Sequence, residues 1–123
     1  MFGRRSVLPP GFERVAAAVE RAKAAALSAV PAPRREPEPL APAVVALEGA
    51  LADAREALAT WTESPPEVRE RCRAALEETA RRAEWLRLEA PSMDFESLVL
   101  VLGDVIAPLD AFVDAEHELR RRG

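Results

Sequence analysis

The sequence predicts an all-α protein: an antiparallel bundle of three core helices, with an N-terminal helix tethered to them by a proline-rich linker. That makes a four-helix bundle, closed within one chain or completed or swapped in a dimer. Three observations predict it. Apolar residues recur at alternating steps of three and four along most of the chain, the period of a helix face. One of these seams, Leu40 to Trp61, holds its heptad phase without a slip, which calls for near-aligned helical neighbours. Proline-containing breaks at 31–42, 65–66 and 91 divide the pattern into segments of helix length.

Composition bounds the protein further. Of 123 residues, 25 are alanine and 35 are larger apolar side chains, enough for one compact core. The longest purely apolar run, Leu98 to Leu102, is far below the roughly 20 residues that span a bilayer, and no secretory signal pattern is visible. A single cysteine excludes an internal disulfide and a cysteine-based zinc site. Arginine outnumbers lysine 16 to 1, and asparagine, glutamine and tyrosine are absent, a bias of GC-rich and most simply bacterial coding. A cytoplasmic location follows as the default.

The chain divides into a basic lead-in (1–10), an N-terminal helix (11–30), a proline-rich linker (31–42) and a bundle core (43–123). In the first helix Phe12, Val15, Val19, Ala22, Ala26 and Ala29 share one face, rich in alanine and able to approach a neighbour closely. The linker holds five prolines in twelve residues and would extend to roughly 37 Å as polyproline II. That reach leaves the first helix free to lie parallel to the second or to dock on another chain.

The second helix, Pro42 to Thr62, carries the seam Val44, Leu47, Leu51, Ala54, Leu58 and Trp61, with Leu40 before it in the linker. Ser64-Pro65-Pro66-Glu67 has the form of a capping box, and the turn is short enough to make helices two and three an antiparallel hairpin. Helix three, to about Ala90, has the apolar face Val68, Cys72, Leu76, Thr79, Ala83 and Leu86. Glu77–Arg81 and Glu78–Arg82 are spaced to pair on its exposed face.

Helix four runs from Ser92 to about Arg121 on Phe95, Leu98, Leu102, Val105, Leu109, Phe112 and Leu119. Leu98 to Leu102 is apolar all round, so its middle is expected to be the most enclosed part of the fold. Residues 98–106 are also dense enough in β-branched residues to suit a buried strand, but the phase survives across Gly103 and Pro108, which favours helix. Pro108 should kink that helix and free the Asp104 carbonyl.

Few residues are of the kind that carry chemistry. Asp110, Asp114 and His117 stand at i, i+4 and i+7, a spacing that would let them share a metal, though on the outer face where charges belong. Cys72 lies within an apolar stripe, and no glycine-rich phosphate loop is present. No catalytic residue and no cofactor are assigned.

The net charge of −4 argues against nucleic acid as a partner, and the lead-in is too short for a membrane anchor. Charge is unevenly spread: residues 92–119 contain seven acids and no Lys or Arg, ahead of Arg120-Arg121-Arg122. Glu116–Arg120 and Glu118–Arg122 are spaced to pair there.

Trp85, with Leu88, stands off the core face of helix three and has the character of an interface anchor. The functional expectation is therefore a non-catalytic interaction or scaffold module, a homodimer or the binder of a protein partner. Its interface would use Phe12, Val15 and Val19 on the tethered helix together with Trp85 and Leu88. The alternative is a bundle that binds a metal or small ligand, with a conceivable enzymatic role, near the Asp104/Pro108 kink or at Asp110, Asp114 and His117.

Overall fold

A computed structural model describes residues 8–28, 40–89 and 95–122. They form helix α1 (Pro10–Ser28), α2 (Leu40–Thr60), α3 (Pro66–Glu89) and α4 (Phe95–Ile106), then a 3-10 turn (Ala107–Asp110) and helix α5 (Ala111–Arg122). Among the described residues there is no strand, so the strand reading of 98–106 falls. Residues 1–7 of the lead-in and 31–39 of the linker lie outside the described residues. So do 90–94, which hold the proline break before α4.

The helices pack as an all-α bundle around one core. α2 begins at Leu40, two residues earlier than expected, which places Pro42 in its first turn. Amides there have no intrahelical partner, so the missing N–H costs nothing. The seam Val44, Leu47, Leu51, Ala54, Leu58 and Trp61 is buried along its whole length.

α1 is a full member of that core. Phe12, Val15, Ala18, Val19, Ala22 and Ala26 are all buried, mainly against α2. The two helices run antiparallel: Phe12 meets Trp61 edge-on, with ring centroids 5.9 Å apart at 64°. Two turns on, Arg21 pairs with Asp53 at 3.5 Å. Of the placements the linker allowed, the parallel one is corrected here. A long tether permits a parallel arrangement but does not favour it. The antiparallel one closes the aromatic pair and seats the alanine face on α2.

The α2–α3 hairpin is fastened by Arg69. Its Nε donates to the Ser64 hydroxyl at 2.7 Å and its guanidinium also donates to the Trp61 carbonyl. Every residue of the expected α3 face is buried, including Thr79, whose hydroxyl donates to the Ala75 carbonyl at 2.8 Å. Of the two expected pairs on the exposed face, Glu78–Arg82 forms at 2.8 Å. Glu77–Arg81 does not: Arg73 lies between Glu70 and Glu77, taking Glu77 at 2.5 Å, and Arg81 turns to Glu78. Arg73 and Arg82 hold the Glu70 and Glu78 carboxyls below their ordinary range through these bonds.

The fourth rod breaks where Pro108 predicts. α4 stops at Ile106, a 3-10 turn carries Pro108, and α5 resumes at Ala111. A proline has no N–H for the carbonyl four residues back, and that carbonyl, of Asp104, instead accepts from Arg82 Nη1 at 2.7 Å. Val105 and Leu109 pack inward on either side of the break.

The expectation for 98–102 needs correction. Leu100 is 72% exposed and Val101 only partly buried, while the side chains of Leu98 and Val99 lie outside the described set. α4 has neighbours on its inner side alone, so an all-round apolar helix necessarily turns part of its surface to water.

Two mid-helix glycines separate propensity from packing. A Cβ at Gly49 or Gly103 would meet nothing within 4 Å. Gly49→Ala is therefore expected to stabilise the protein by about 0.5 to 1 kcal/mol, read by chemical denaturation; a loss of stability would show that the α2 backbone is not helical there.

Candidate protein-interaction surface

The interface candidates fall into two groups. Phe12, Val15 and Val19 fill the core of their own chain, and a second copy would reach them only if α1 left its place. Trp85 and Leu88 remain at the surface, 49% and 71% exposed. α3 turns Val68, Cys72, Leu76, Ala83 and Leu86 inward, and Trp85 and Leu88 lie off that stripe, so the helix cannot bury both sets at once.

Four other large apolar side chains are exposed among the described residues: Leu27, Val45, Leu100 and Val113. In the antiparallel bundle the end of α1, the start of α2, the end of α3 and the start of α4 share one end. Leu27, Val45, Trp85, Leu88 and Leu100 therefore all lie toward that end. Sequence reasoning missed Leu27, Val45, Leu100 and Val113. Their signal was apolar residues one or two positions off a seam, indistinguishable from core until the neighbours of each helix are known.

An ion pair, Arg71 to Glu118 at 3.2 Å, and a hydrogen bond, Arg82 to the Asp104 carbonyl, set the register of α3 against the fourth rod. One turn beyond Arg82, Trp85 is level with Val101 and Leu102. Cations at this end are engaged, Arg87 with Glu48 at 3.7 Å and Lys23 with Glu20 at 3.6 Å. Glu116–Arg120 forms as expected at 2.9 Å, whereas Glu118 reaches across to Arg71 and the Arg122 side chain lies outside the described set.

Asp110 closes the 3-10 turn and Asp114 and His117 follow on α5, all three exposed. Among the described residues no three His, Cys, Asp or Glu side chains converge as metal ligands would. Val105 and Leu109 are buried on either side of the kink, and the Asp104 carbonyl it frees is taken by Arg82. Shallow grooves lie elsewhere. One of about 340 Å³ between α2 and α3 is flanked by Glu48, Arg55, Arg81 and Glu84; one of about 400 Å³ between α1 and α2 is flanked by Arg14, Arg21, Asp53 and Glu56. Both are rimmed by opposite charges that neutralise each other.

Cys72 is fully buried, and desolvation pushes its thiol up to about 11, against a small opposing effect of Arg71. A thiol held neutral by the fold costs stability once the unfolded chain can ionise. Stability is expected to be whole below pH 9 and to fall as pH rises toward 11. Cys72→Ala should flatten that alkaline slope in denaturation curves; an unchanged slope would place its cause elsewhere.

What the fold and surface define is a class, an α-helical bundle with an apolar end. No protein-family model, curated protein or solved structure matches the chain. No helix among the described residues is long and apolar enough to cross a membrane.

Proposed function

We propose that this protein is a non-catalytic interaction module that works through helix-mediated association, with a second copy or with another protein, at the Trp85/Leu88 shoulder. The observation that carries the reading is a tryptophan about half exposed beside a leucine more exposed still, on a helix whose core stripe is already full. Tryptophan is enriched among the residues that dominate binding energy, and clustered exposed apolar surface marks interaction sites.

Trp85→Glu tests it. The variant is expected to keep its helical content and cooperative unfolding, because Trp85 contributes little to the core. Any species heavier than the 13.4 kDa chain, measured by light scattering, should be lost. A heavier species that survives the substitution would remove Trp85 as the anchor of self-association.

A further inference from the structure

We propose that the outer face shared by the C-terminal half of α3 and the fourth rod docks a basic amphipathic helix of a protein partner. This rests on the association reading and names the partner's chemistry. Trp85 and Leu88 are exposed near the end of α3, and Leu100 and Val113 are exposed on the fourth rod. Leu100 is level with the end of α3. Thirteen residues separate it from Val113, roughly 20 Å at helical rise, about the length of four turns of a partner helix.

Around these anchors the cations of α3 are engaged, while several acids of the fourth rod are not. Glu96, Asp104, Asp110 and Asp114 are exposed, and none has an ion-pair partner among the described residues. No Lys or Arg occurs from Glu96 to Leu119, and the nearest cations of α3 are taken: Arg71 by Glu118, Arg81 and Arg82 by Glu78. A neutral or acidic partner that covered the apolar anchors would desolvate these carboxylates without compensation; a basic one supplies their counter-charge. A second copy docked by a two-fold axis would set this acidic face against itself, so the occupant is a different, basic chain.

The probe is a fluorescein-labelled 14-residue peptide of leucine and lysine, with leucines at helical spacing, and its leucine/glutamate counterpart. Binding to the full chain is read by anisotropy. The lysine peptide should bind at least tenfold more tightly than the glutamate one. Trp85→Ala should weaken it about tenfold, and Asp110→Lys should weaken it several-fold more than Glu56→Lys, an equal charge change on the far side of α2.

Equal effects of Asp110→Lys and Glu56→Lys would show diffuse attraction to an acidic chain and overturn the proposal, as would equal binding of the two peptides. Loss with Trp85→Ala but indifference to Asp110→Lys would leave the association reading standing and end the basic-partner one. Indifference to Trp85→Ala overturns both. A dimer that Trp85→Glu dissolves gives the face to a second copy and overturns this proposal alone.

Discussion

Phe12→Ala is expected to destabilise the protein by about 3 to 5 kcal/mol, the cost of removing a fully buried phenyl ring from a packed core. Phe12 is 1% exposed, heads the buried stripe of α1 and supplies one half of the edge-on pair with Trp61. Its loss opens a cavity at the end of the bundle where α1 and α2 meet, and leaves the indole without its aromatic neighbour. Thermal unfolding should shift down by roughly 10 to 20 °C for a chain of this size. An effect below about 1 kcal/mol would mean that α1 does not sit on α2 in solution.

Gly11→Val is expected to cost about 3 kcal/mol, at the upper end of overpacking penalties. An added Cβ would lie within the van der Waals envelope of the Trp61 indole, only 2.8 Å from Nε1 and closer still to Cδ1 and Cγ. The rigid ring cannot swing aside, because Phe12 is against it and Trp61 is itself 7% exposed. At Gly49 the same absence of a side chain leaves open space. The two glycines therefore respond with opposite sign, and urea midpoints of both variants give the comparison. A Gly11→Val protein as stable as its parent would show that the indole is not held at this position.

The seam of α2 was legible because residues larger than alanine hold five of its six positions from Val44 to Trp61 in one heptad phase, a pattern with few alternative solutions. The break at Pro108 was legible for a chemical reason: the missing amide frees a particular carbonyl. That Arg82 takes this carbonyl was not, since it depends on the register of α3 against the fourth rod. The direction of α1 was equally hidden. Its alanine-rich face fits many surfaces, and a twelve-residue linker permits either orientation. Glu77 had two arginines within reach, and spacing alone could not choose Arg73 over Arg81. The exposure of Leu100 followed from α4 lacking an outer neighbour. Of the candidate surface, Trp85 and Leu88 were legible as residues off the core stripe. Phe12, Val15 and Val19 were legible as a face, but not as one that their own chain fills.

The seating of α1 on its own α2 has a consequence for exchange between molecules. The tether joins Ser28 to Leu40 through eleven residues, and a short link makes the association of two elements intramolecular, at effective concentrations on the order of millimolar. A foreign helix of equal affinity, offered at micromolar concentration, therefore competes at a disadvantage of about a thousandfold. The seam of α2 is closed to strangers by local concentration as well as by fit. A partner of the kind proposed is left with the surface that the tether does not reach.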